Sequence, residues 1–118
     1  MLMTRRTERV NDLLREEISS ILLRDIKDPR LAHLVTITEV DVAQDFKYAK
    51  VFVSVLGTEE EKKEAMQGLL SASRFVRREL GERLKSMRHI PELSFRHDDS
   101  IERGSRILQI LKEIEPES

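Results

Sequence analysis

Two runs of β-branched residues, 34–43 (LVTITEVDVA) and 47–56 (KYAKVFVSVL), are separated only by Gln44-Asp45-Phe46, and this spacing constrains the fold more than any other feature. Side chains on an extended chain point alternately to opposite faces, and both runs alternate, so each reads as a strand. A link this short reverses the chain, which predicts an antiparallel pair. In the second run Ala49, Val51, Val53 and Val55 share a face that reads as core. In the first, Val35 and Ile37 are in one phase and Val40 and Val42 in the other, so the alternation slips and a bulge is expected near Glu39.

The flanking residues read as helices. From Arg5 to Asp25, the residues Val10, Leu13, Leu14, Ile18, Ile21 and Leu22 recur at three-and-four spacing as one apolar stripe, and Asp28-Pro29-Arg30 stops the helix. After the hairpin, Thr58 with Glu61 three residues on is a capping-box signature, and Glu59 to Glu61 suit the positive end of a helix dipole. An unbroken helix from there to Met87 would be long for a domain of 118 residues. Gly68 to Ser73 is the expected break, because glycine and serine are poor residues inside a helix. A second helix then runs from about Arg74 to Met87. Its wheel places Val76, Leu80, Leu84 and Met87 in one quadrant, with Arg74, Arg78, Lys85 and Arg88 in a line opposite and Gly81 among them. Arg77 lies nearer the apolar edge. Pro91 introduces a third strand, Ile90 to Arg96, with Leu93 and Phe95 on one face. Asp99 with Glu102 caps a last helix packed through Ile101, Leu108 and Leu111, with Gly104 and Ile107 beside them, and Pro116 ends it. The order is αββα(break)αβα, an α+β single domain over residues 1–118 with a three-stranded sheet packed against helices.

Function has to come from the surface, where charge is unevenly spread. The net charge is only −1, yet residues 72–91 hold six basic and two acidic side chains. A local patch rather than the total sets electrostatic binding. From the residues alone the Arg74–Arg88 line reads either as a solvated helix face or as a set of sequence-independent phosphate anchors, with Gly81 letting backbone come close. Phe75, Phe46 and Tyr48 are candidates for base stacking and equally for packing. The chain has no cysteine, which excludes disulfides, thiolate metal sites and cysteine nucleophiles. His89, His97, Asp98 and Asp99 match no metal-ligand spacing, and Ser71 and Ser73 near His89 lack an oxyanion hole and a third catalytic member. No catalytic residue, metal site or cofactor is expected. No leader peptide or membrane-spanning run is read either, so the expected setting is cytoplasmic.

The blocks RVNDLLREEISSILLRDIKDPRL, VTITEVDVAQDFKYAKVFVSVLG and FVRRELGERLKSMRHIPELSFRHDDSIERGSRI, in this order and spacing, resemble the ribosome-binding factor A family over nearly the whole chain. The resemblance implies a type II KH-like domain, related to the modules that clamp single-stranded nucleic acid at a GXXG loop, in which a helix-kink-helix with an Ala-x-Gly signature replaces that loop. The kink then falls at Ala72-Ser73-Arg74. Ala72 matches the signature, and Arg74 stands where the family has glycine. The resemblance further implies a non-enzymatic, monomeric assembly factor that binds the small (30S) ribosomal subunit and its 16S rRNA, assists rRNA processing at the 5′ end, and belongs to cold-shock adaptation. Arg74, Arg78, Lys85, Arg88 and, more weakly, Arg77 would carry the RNA contact. The alternative is a protein-interaction module that binds a ribosomal protein or an assembly GTPase.

Overall fold

The alternating runs do form the centre of the molecule. The computed structural model describes residues 5–26 and 35–100. Its elements are helix α1 (Arg5–Arg24), strands β1 (Val35–Val42) and β2 (Tyr48–Val55), helix α2 (Glu59–Arg83) and strand β3 (Glu92–His97). β1 and β2 are antiparallel from Val35↔Val55 to Val42↔Ala49, and the register shifts between Ile37 and Glu39, where the sequence phase slips. Thr38 sits at that shift, and its Oγ1 lies 2.7 Å from Asp98 Oδ2, so the irregular residue ties β1 to the end of β3. The hairpin closes through Phe46 N donating to Ala43 O and Ala43 N donating to Tyr48 O, each at 2.8 Å. Phe46 takes a φ of 60°. That left-handed conformation is uncommon for a bulky residue, and two features hold it. Its ring packs on the core, and the Arg6 guanidinium carbon lies 5.1 Å from the ring centroid.

β3 pairs in parallel with β2, from Tyr48↔Glu92 to Val53↔His97, giving the sheet order β1-β2-β3. A parallel pair needs a crossover, and α2 supplies it. Because α2 leaves the end of β2 and must return to the start of β3, its C-terminal half lies beside the ends where both strands begin. This return path turns one side of α2 outward.

One face of the sheet carries Ile37, Val40, Val42, Ala49, Val51 and Val53 against Leu14, Ile18 and Ile21 of α1 and Leu69, Val76 and Leu80 of α2. The expected faces of α1 and β2 are therefore the buried ones, with one correction. Leu13 is 37% exposed, while Thr7 and Asn11 are buried. The stripe runs through positions 7, 11, 14, 18 and 21, because that is the line that meets the sheet. Asn11 is satisfied there: its Oδ1 accepts from Val42 N at 2.8 Å, which fixes the last residue of β1 against α1.

The expected break at Gly68 to Ser73 is absent. α2 is one helix of 25 residues, and Ala72, Ser73 and Arg74 are all helical. Three causes act together, one tertiary and two local. Gly68 and Leu69 are buried, so tertiary packing offsets the roughly 1 kcal/mol that glycine costs in a helix. Ser73 Oγ donates back to Leu70 O at 2.9 Å instead of competing for the helical backbone. Arg74 is itself a good helix former. The N-terminus is capped as the sequence predicts, with both arms of the Thr58–Glu61 capping box present. The other end stops earlier than expected, at Arg83. Leu84 turns out of the helix with φ −114° and ψ 56°, and Met87 N bonds Leu84 O at 3.0 Å. The chain must swing there to bring buried Pro91 and then Glu92, whose N bonds Lys47 O at 2.9 Å, alongside β2. The expected stop at Asp28-Pro29-Arg30 and most of the last helix, with Gly104 and Pro116, lie outside the described residues.

Candidate nucleic-acid interface

The outward side of α2 is built by the same spacing that builds its core. Val76 and Leu80 are fully buried, and Arg74 and Arg78, four residues apart and on the opposite side, are exposed. Neither forms an ion pair among the described residues. Upstream on the same side lie Lys63, Gln67 and Leu70, all exposed, with Leu70 at 74%. The wet face is therefore a column about four turns long, with Lys63 at its start, Arg74 and Arg78 in its C-terminal half and one bare leucine between them.

The other three arginine and lysine positions that the sequence put forward fall elsewhere. Lys85 and Arg88 are exposed but lie past Leu84, outside the helix, so periodicity does not align them with Arg74 and Arg78. The four-residue line read from the wheel is thus a two-residue line followed by two cations in a turn. Arg77 is engaged: its Nε and Nη2 donate to Ile90 O at 3.3 and 3.1 Å. These bonds fasten α2 to the segment entering β3 and fix the orientation of the guanidinium. The structure also gives a role to an arginine that the sequence did not single out. Arg83 reaches Asp25 Oδ2 at 2.6 Å, Glu17 Oε2 at 3.3 Å and Ser20 Oγ at 3.1 Å. It clamps α2 to the end of α1, and partners this distant along the chain leave no local pattern to find.

Gly81 lies on the cation-bearing side and is half-buried. A Cβ built there would lie 3.9 Å from Ile90 Cγ1, an ordinary contact. Gly81→Ala is therefore expected to raise the unfolding free energy by roughly 0.5–1 kcal/mol through helix propensity, measured by urea denaturation. A loss of stability would show that the backbone at Gly81 is not the relaxed helix described.

Phe75 is 36% exposed and flanks the column, and Phe46 belongs to the hairpin turn and core. Asp98 accepts from Ser100 N at 2.9 Å through Oδ1 while Oδ2 meets Thr38, so both of its oxygens are in use. Among the described residues no group of three or more potential ligands is placed to hold a metal ion, and no helix is long and apolar enough to cross a membrane. A cleft of about 440 Å³ opens where α2 returns to the strand ends, lined by Asp45, Lys47, Tyr48, Arg77, His89 and Glu92.

A family model described as ribosome-binding factor A matches residues 6–111. A ribosome-binding factor A from Dictyoglomus thermophilum is 54% identical over 112 residues, covering 95% of this chain and 92% of that one. The crystal structure of ribosome-binding factor A from Thermus thermophilus superposes with a TM-score of 0.68 at 26% identity, covering 77% of this chain and 93% of that chain. A Thermus thermophilus ribosome-binding factor A homology model, fitted into the cryo-EM map of a 30S complex, superposes with a TM-score of 0.59 at 28% identity over 83% of this chain and 97% of that chain.

Proposed function

This chain belongs to the ribosome-binding factor A family, and on that premise we propose that it binds the small ribosomal subunit in the cytoplasm, contacts 16S rRNA through the outward side of α2, and assists maturation of the 5′ end of that RNA. The observation that carries the reading is the pair Arg74 and Arg78, exposed one turn apart and without ion-pair partners among the described residues. Cations exposed on one side of a helix release condensed counterions when they meet phosphates, and they position the protein without reading sequence. The Thermus relative placed in a 30S complex supports the choice of the small subunit as the partner. Nothing in this mode of action breaks or makes a bond in the RNA. The factor acts by occupying one conformation of the RNA until processing is complete.

The test is sedimentation of the full chain with purified small subunits across a salt series. Co-sedimentation at low salt that falls as salt rises, with a log–log slope of about −2 or steeper for two or more phosphate contacts, is the expected result. Protein left in the supernatant at every salt concentration would sink the proposal.

A further inference from the structure

We infer that the cleft between the hairpin turn and α2 holds a single unpaired nucleotide, its base against Tyr48 and its Watson–Crick edge on Glu92, with guanine preferred. The inference rests on the RNA-binding reading above and deepens it from an electrostatic contact to a subsite with base selectivity.

Three features point to a nucleotide. First, Tyr48 is 60% exposed at the beginning of β2, and its register partner across the parallel pair is Glu92, so an aromatic ring and a carboxylate are held side by side by the backbone ladder. A base has a face to stack and edge N–H groups to donate, and this pair supplies the partner for each. Second, Arg77 at the wall is oriented by its two bonds to Ile90 O, and its remaining N–H groups are still available to a phosphate or ribose oxygen. Third, the charges of the cleft are mixed. Lys47 and Arg77 line it together with Asp45, Glu92 and His89.

That mixture decides the occupant. Two carboxylates repel a bare run of phosphates, so the cleft is not a continuation of the Arg74 and Arg78 anchor. They require a ligand that donates hydrogen bonds and carries negative charge a few ångströms away, which describes a nucleotide with donors on its base edge. Guanine presents N1–H and N2–H together on one edge and matches a carboxylate best. Asp45 Oδ1 accepts from Lys47 N at 3.0 Å, which ties that carboxylate to its own turn, whereas the Glu92 carboxylate accepts no hydrogen bond among the described residues and keeps both oxygens for a ligand. An arginine-bearing peptide also fits an aromatic ring and two carboxylates, but Arg77 and Lys47 within the cleft, and Arg74 and Arg78 beyond it, repel it. The volume of about 440 Å³ falls within the range of clefts that take small ligands.

The chain itself carries the reporter. It has one tyrosine and no tryptophan, so its intrinsic fluorescence comes from Tyr48 alone. The experiment titrates the full chain with the RNA hexamers UUGUUU, UUAUUU, UUCUUU and UUUUUU, and with a penta-arginine peptide. Saturable quenching by RNA, tightest for the guanine hexamer, is expected. Tyr48→Ala should weaken that binding by about fivefold to a hundredfold, as loss of one stacked base does, when followed by anisotropy of labelled RNA. Tyr48→Phe, which keeps the ring, should stay within about twofold of wild type by the same measure. Glu92→Gln should remove the guanine preference without abolishing binding. Quenching by the peptide and not by RNA would overturn the inference in favour of a protein partner. RNA or subunit binding that leaves the tyrosine signal unchanged would overturn the cleft while leaving the small-subunit reading standing. Failure to co-sediment with subunits would remove that reading itself.

Discussion

The double charge reversal Arg74→Glu with Arg78→Glu should weaken binding to small ribosomal subunits by about a hundredfold or more near physiological salt, and should flatten the salt dependence. Each phosphate contact removed is worth about 1 kcal/mol, and each carboxylate put in its place repels the same phosphate, so two reversals together approach 3 kcal/mol. The fold should not register the change. Both positions are exposed within the C-terminal half of α2, glutamate is as good a helix former as arginine, and such surface changes usually stay within about 0.5 kcal/mol. Sedimentation at several salt concentrations, beside urea unfolding of the same protein, separates binding from stability. The pair Arg74→Lys with Arg78→Lys keeps the charge and should bind within a few-fold of wild type. Equal binding by the glutamate pair would take α2's outward side out of the mechanism. The same reversal at Lys85 and Arg88 asks a different question. Those cations left the helix line when the chain turned at Leu84, so an equal effect there would show that the RNA follows the turn as well as the helix.

That difference between two pairs of cations shows where sequence patterns stop being informative. Period-two alternation found the buried face of β2, and a phase slip found the bulge between Ile37 and Glu39, because both are imposed by contacts within the element or with its immediate partner. The Thr58–Glu61 box is local and was equally legible. The path of α2 was not. Gly68 and Ser73 weaken a helix in isolation, and the burial of Gly68 and Leu69 against other elements overrides them. The stop at Arg83 answers to the position of β2, which Pro91 and Glu92 must reach, and no capping residue announces it. Sequence spacing sets Arg77 apart from the exposed line but names no partner for it, and it passes over Arg83, for a related reason. Their partners, Ile90 O in one case and Glu17, Ser20 and Asp25 in the other, come near only once α2 has crossed back over the sheet. Ala72, Ser73 and Arg74 sharpen the point. The Ala-x-Gly pattern led to an expected kink, but with arginine in the glycine position the backbone stays helical, and the same side chain becomes the first cation of the exposed pair.

If an unbroken α2 is what presents that pair, then the opposite side of the helix must hold it in the fold, and Leu80→Ala should show how strongly. Leu80 has no exposed surface, and it sits one turn from Val76 and one from Leu84, on the buried stripe of a helix that packs against α1 and β3. Truncating a leucine in such a place removes its transfer free energy and leaves a cavity, together about 2–5 kcal/mol. A domain of this size has roughly 5–15 kcal/mol in total. The thermal midpoint should therefore fall by about 10 °C, read by circular dichroism. Leu70→Ala is the matched control. The residue type and helix are the same, but the side chain lies in solvent, and the midpoint should hardly move. Below its midpoint the Leu80→Ala protein should still bind subunits with the wild-type salt slope, since Arg74 and Arg78 are untouched. A changed slope in a folded sample would mean that packing at Leu80 sets the direction in which the two arginines point, and that α2's presentation of charge depends on its core as much as on its surface.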